Sequence, residues 1–181
     1  MKYLTLSLGI VLVLILTNCE SDNNNNDNSS LSNYIKYNNK KYEITQGYVM
    51  YYGTRDDVHR YNPMFYSSDI TVHGVIDSLS GTGHAIGFDL HTSQKKLETG
   101  NYNCQTDIYE HPEPYIFSGN YIINENVQNA DDNKSFKSGT LTIEKNNSSY
   151  IFEFNGTNSN GEYISFYYEG NVTIYEDEGV K

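Results

Sequence analysis

Tryptophan is absent from this 181-residue chain, alanine occurs only at Ala85 and Ala130, and proline appears three times. So few strong helix formers argue against a helical fold. Basic residues are also scarce, 12 against 23 acids, for a formal net charge of -11. A surface of that sign repels phosphate backbones, which excludes nucleic acid as an expected partner. Catalytic signatures are missing too. Gly-x-Ser-x-Gly does not occur, and Gly81-x-Gly83 lacks the further glycine, basic residue and following helix of a phosphate loop. Paired acids such as Glu110 and Glu113 are ordinary at this charge and specify no glycosidase. The expectation is a protein that is not an enzyme and carries no cofactor.

What the chain has is an export signal. Met1-Lys2 supplies a positive charge, and residues 4–16 form a nearly unbroken apolar run. At about 13 residues it fits the 7 to 15 of a signal-peptide core and falls short of the roughly 20 needed to span a bilayer. It closes on Leu16-Thr17-Asn18-Cys19, which resembles the lipobox of bacterial lipoproteins, although Asn18 is larger than the usual penultimate residue. The resemblance implies cleavage before Cys19 and lipidation of that cysteine with a diacylglyceryl thioether and an N-acyl chain such as palmitate. An ordinary secretory peptide with an incidental Cys19 is the alternative, and it also exports the chain. Two or three acyl chains make attachment effectively permanent, so the membrane is the expected partner through a lipid anchor.

The expected organisation is a signal peptide over 1–18, a lipidated tether over 19–33 and a single β domain over 34–178. Residues 20–33 contain no aromatic or β-branched side chain and cannot bury enough surface to order themselves. A coil of that length spans roughly 20 Å. Its acidic start, Glu20-Ser21-Asp22, resembles the signal that sends Bacteroidetes-type lipoproteins to the outer leaflet of the outer membrane. That implies display toward the cell exterior; the other reading is an ordinary polar linker. With Cys19 lipidated, Cys104 is left alone and no intrachain disulfide can form.

Eighteen tyrosines and seven phenylalanines, among many Gly, Asn, Ser and Thr residues, are the usage of twisted sheets joined by tight turns. Period-two alternation places Tyr42, Ile44, Tyr48, Met50 and Tyr52 on one face of a strand over 41–52, after an Asn38-Asn39 turn. Residues 64–73 and 85–91 read as two further strands. Leu141 and Ile143, then Tyr150, Phe152 and Phe154, then Ile164, Phe166 and Tyr168, then Val172 and Ile174 form one apolar face of four successive hairpin strands. The expected fold is all-β, an antiparallel meander of about 8 to 10 strands closing into a barrel or a two-sheet sandwich.

The Gly-Thr-Leu-Thr-Ile strand, polar turn, aromatic strand and Tyr-rich strand of residues 138–175, with the pattern of 97–102, are similar to those of calycin-like lipoproteins of Bacteroidetes type. The resemblance implies a lipocalin-like β domain on a surface lipoprotein and implies no reaction. The Gly-x-Trp of true lipocalins is missing, so no lipocalin ligand site carries over.

Several residues merit attention as sites. Asp69 and His73 on one strand, and Asp89 and His91 on the next, would converge as weak metal ligands if the strands pair antiparallel; solvent-face alternation is the simpler account. His84 and His91 resemble haem-binding pairs, but strand parity sets them on opposite faces. Cys104 with His111 could be a nucleophile and base, against the simpler role of a small buried side chain. Asp77-Ser78-Leu79 resembles a Bacteroidetes-type O-glycosylation acceptor at Ser78. Tyr51, Tyr52, Tyr61, Tyr66, Tyr109 and Tyr115 are candidates for aromatic contact with a partner, or else for core positions. Two functions follow: binding of a small molecule, glycan or protein by a non-enzymatic surface lipoprotein, or an interaction subunit of an outer-membrane assembly. Whether the interior is hollow or filled separates a cavity site from a surface site.

Overall fold

A computed structural model describes residues 31–74, 78–130 and 134–176. The expected signal peptide, Cys19 and most of the expected tether lie outside those residues. The described chain is all-β: β1 (Tyr34–Tyr37), β2 (Lys40–Glu43), β3 (Gln46–Arg55), β4 (Val58–Tyr66), β5 (Ile70–His73), β6 (Ser78–Thr92), β7 (Gly100–Cys104), β8 (Ile116–Asn126), β9 (Phe136–Asn146), β10 (Ser149–Asn158), β11 (Tyr163–Gly170) and β12 (Thr173–Glu176). The order across the sheet is β12-β3-β4-β6-β8-β7-β9-β10-β11-β1-β2, with β5 added to β6.

Local chemistry sets the tight turns. Asn38 and Asn39 take φ of 49° and 60°, and Asp56 and Asp57 take 49° and 64°. Two successive left-handed residues match the twist of the strands they join, and Asn and Asp tolerate that region best after glycine. The Asp56-Asp57 hairpin shows that β4 begins at Val58, earlier than alternation from Met64 suggests.

The sheet curls because one stretch of chain serves both of its ends. Strand β2 pairs with β1, and two residues later β3 pairs with β4. Between them the Ile44 amide donates to the Asn33 carbonyl at 3.1 Å and the Thr45 amide to the Tyr66 carbonyl at 2.9 Å. This bend resets strand parity. Val49 and Tyr51 point into the core while Tyr52 is 45% exposed, opposite to the face expected from continuous alternation over 41–52.

Two pairings are parallel. β7 lies beside β8 through Asn103↔Ile116 and Cys104↔Phe117, so residues 105–115 must cross over the outside of the sheet. β12 pairs with β3, Thr173↔Tyr48 through Glu176↔Tyr51, and does not extend the final hairpin. The edge of β11 it would have used is occupied by β1 through Tyr34↔Tyr167. Ile174 is correspondingly exposed rather than part of the apolar face.

The interior is filled. The Phe88 ring has Phe117, Phe136, Phe154 and Phe166 centroids at 5.5 to 5.7 Å. Phe65 contacts Phe152, Phe166 and Tyr168, each at 4.8 Å. Burial of each such side chain contributes about 1.5 to 3 kcal/mol, and tilted and edge-on rings add to it. Any open site must therefore lie outside the barrel-like core.

Candidate functional site on the outer face

The outer faces of β4, β6 and β8 are brought together by register. Inward positions on β6 are Ile86, Phe88 and Leu90, all buried, which leaves Ala85, Gly87, Asp89 and His91 outward. Tyr66, Ala85 and Ile122 form one cross-strand row, and Met64, Gly87 and Asn120 the next. Asp89 stands opposite Ser118, and Arg60 opposite His91.

These rows line a groove of about 640 Å³ that also meets Asn62, Thr106 and Tyr109. Such a volume suits a small organic ligand. Its floor is low because Gly87 has no side chain. A Cβ there would approach Asn120 Oδ1 only to 3.7 Å and Met64 Cγ to 3.8 Å, so the glycine leaves usable space. Gly119, its neighbour on β8, has no such freedom: a Cβ would lie 2.2 Å from the Gly87 carbonyl oxygen and 3.0 Å from the Phe136 ring. The side chains of Asn62, Ser118 and Asn120 make no hydrogen bond among the described residues, so their donors and acceptors face the groove uncommitted.

One end of the groove is walled by the 105–115 crossover. Ile108 of the crossover is fully buried and pins it down, and the Tyr109 hydroxyl donates to Asp89 Oδ2. Arg60 Nη2 reaches Tyr109 Oη at 3.2 Å and Asp89 Oδ2 at 3.3 Å, with its guanidinium 4.9 Å from the Tyr109 ring and 5.7 Å from the Tyr52 ring. Loss of water and then the hydrogen bond to Asp89 push the Tyr109 hydroxyl up to about 12. His91 is 1% exposed under the same crossover, and burial lowers its pKa against an opposing pull from Asp89. Arg60 Nε, Asp89 Oδ1 and the ring nitrogens of His91 are buried without a well-formed hydrogen bond among the described residues, although the Glu113 backbone lies near enough to His91 to pull its pKa upward. Buried polar atoms are nearly always satisfied, so this concentration marks the end of the groove as unusual.

The four metal-ligand candidates do not converge. β5 does pair antiparallel with β6, but through Ile70↔Gly81 to His73↔Ser78. That register leaves Asp69 and His73 at the opposite end of β6 from Asp89 and His91. His73 Nε2 instead contacts Ser80 Oγ at 2.8 Å. Among the described residues no three His, Cys, Asp or Glu side chains gather closely enough to hold an ion. His84 lies against Tyr42, ring centroids 4.8 Å apart, while His91 is enclosed under the crossover. Cys104 is half-buried, and burial pushes its thiol up to about 11, which disfavours the thiolate a nucleophile requires. His111 is exposed on the crossover. Ser78 is exposed at the start of β6 rather than in a loop, and Asp77 lies outside the described residues.

The six tyrosines divide. Tyr51 and Tyr61 are core residues with centroids 4.8 Å apart, and burial pushes Tyr61 up to about 12. Tyr66 is buried at the groove. Tyr52, Tyr109 and Tyr115 are exposed. Sequence reasoning missed Asn62, Gly87, Ser118 and Asn120; the signal available was a pair of small outward residues, Ala85 and Gly87, alternating with the bulky inward Ile86, Phe88 and Leu90.

No protein-family model matches the chain, nor does any curated protein or solved structure.

Proposed function

We propose that this chain is a non-enzymatic, lipid-anchored cell-surface lipoprotein whose β domain binds a ligand in the groove over β4, β6 and β8. The address rests on the charged start, the short apolar run and the Leu16-Thr17-Asn18-Cys19 pattern. The observation that carries the binding reading is the contrast between a core packed with rings and an open outer groove floored by Gly87. An unpaired amide or hydroxyl facing solvent gains little by itself, but several converging on one concavity can fix a ligand's orientation.

Two measurements test the two halves. Metabolic labelling with a palmitate analogue should mark the wild-type chain and not Cys19→Ala, and the variant should leave the membrane fraction; labelling that survives the substitution refutes the anchor. Purification from membranes should yield the chain without a stoichiometric protein partner. A tightly bound partner would move the reading to an interaction subunit of an outer-membrane assembly.

A further inference from the structure

We infer that the groove takes a neutral carbohydrate. This rests on the binding reading above and narrows it to one ligand class. Three observations carry it: the charge of the site, the chemistry of its uncommitted groups, and the shape of its floor.

Charge excludes anions. The only guanidinium near the groove, that of Arg60, is held against Asp89 and Tyr109, and the chain carries a net charge of -11. A phosphate, sulfate or carboxylate would meet a carboxylate with no free cation lining the groove among the described residues to offset it.

The polar groups are of the kind that read hydroxyls. Asn62 and Asn120 each offer an amide donor and a carbonyl acceptor, and Ser118 offers a hydroxyl, all three lining the groove. A sugar hydroxyl both donates and accepts, and can therefore satisfy each of them. An acyl chain would leave them all unpaired, at a cost of about 1 to 3 kcal/mol for each group that becomes buried.

An extended peptide fits less well. Peptides gain affinity by adding a strand to a sheet edge, but β6 lies between β4 and β8 and its backbone is paired on both sides. Recognition here must run through side chains. The apolar surfaces are arranged for a ring: Met64 beside the Gly87 floor, and the Tyr109 ring standing at one end with its position fixed by Arg60. The C–H face of a pyranose can rest on such a surface while its hydroxyls reach the amides.

The test uses the full chain in detergent. Side-chain amide NMR signals of Asn62 and Asn120 are followed against neutral gluco-, xylo-, manno- and N-acetylglucosamine oligomers, against sialylated and sulfated glycans, and against fatty acids and short peptides. A neutral oligomer should shift both amides. Asn120→Ala, at an exposed position without partners, should weaken that oligomer about tenfold, and Gly87→Val, whose added methyls fill the floor, should abolish binding. Tyr163→Ala, at an exposed position outside the groove, should leave affinity unchanged. Amide shifts produced only by acidic glycans, lipids or peptides overturn the carbohydrate assignment and keep the groove as a site. Neutral oligomers that bind with no effect of Asn120→Ala or Gly87→Val overturn it also, since the sugar then sits elsewhere. No amide shift from any probe overturns both the assignment and the binding reading.

Discussion

The turn after β10 and the crossover above β6 both bury polar side chains, and they treat them in opposite ways. Asn158 is 2% exposed, and every one of its side-chain groups is used. Its amide donates to Tyr121 at 2.7 Å and to Glu162 at 2.8 Å, while its carbonyl accepts from the Asn160 and Glu162 amides at 3.0 and 2.9 Å. Tyr37 closes the network with a 2.6 Å bond to Glu162, which lowers the Glu162 pKa. Under the crossover, Arg60, Asp89 and His91 leave four buried atoms without a well-formed hydrogen bond among the described residues. A completed network holds a fold together, whereas an incomplete one is a standing cost that a fold alone has no reason to keep. The difference separates a structural device from a candidate site.

Substitutions can break or sharpen this contrast. The largest effect is expected at the completed network: Asn158→Ala should cost about 3 kcal/mol in denaturant unfolding, because several backbone and side-chain groups lose their partner together. A loss below about 1 kcal/mol would mean that water replaces the amide and that the network is not structural. Tyr109→Phe should cost about 1 kcal/mol, since a charge-assisted bond to Asp89 is lost on a ring that is 42% exposed. It should also remove part of the stability that wild type loses as pH rises from 10 through about 12, where the folded hydroxyl finally ionises.

His91→Phe should do the reverse of Asn158→Ala and stabilise by about 1 kcal/mol, as buried nitrogens whose only contact is a poorly formed one to the Glu113 backbone give way to an apolar ring of similar shape. The sign of its pH dependence follows from the lowered folded pKa. The unfolded histidine binds a proton near 6.5 while the folded one resists it, so wild-type stability is full above that pH and falls as the solution is acidified. The variant should lose less on acidification, with a residual slope from His84, whose pKa burial also lowers. Thermal melts at pH 5 and 7.5 decide this, and equal slopes would assign the acid sensitivity elsewhere. The smallest effect is expected at Ser118→Ala, within 0.5 kcal/mol of wild type, because its hydroxyl supports nothing in the fold.

Legibility in the sequence followed the range of the interactions. Asn38-Asn39 is a turn because its own backbone preferences make it so, the Asn146-Asn147 signal marks a turn that falls one residue later at Asn147-Ser148, and the aromatic alternation of β9, β10 and β11 survives because these strands are consecutive hairpins. The parity of β3 was not legible, since a bend at Ile44-Thr45 depends on the distant carbonyls of Asn33 and Tyr66. The groove was hidden for the same reason. Asp89 and Tyr109 were visible as residue types, but Gly87 becomes a floor only when Met64 and Asn120 flank it, and β4, β6 and β8 are not neighbours in sequence. The four weak metal-ligand candidates stay apart because the strand expected over 64–73 breaks into β4 and β5, with Asp69 in the turn between them and His73 paired beside Ser78 rather than near Asp89.

The join between Asn33 and Glu169 has a temporal consequence. Asn33 Oδ1 accepts from the Glu169 amide, 136 positions away in sequence, at 2.9 Å, and the neighbouring strand β1 has β11 as one of its two partners. The first strand made is therefore completed by nearly the last. A chain delivered amino end first stays open until its final strands arrive, and contacts of such long range fold slowly. Delay of this kind makes the closing of the sheet a late event, and it places that event at the edge where β1 meets β11.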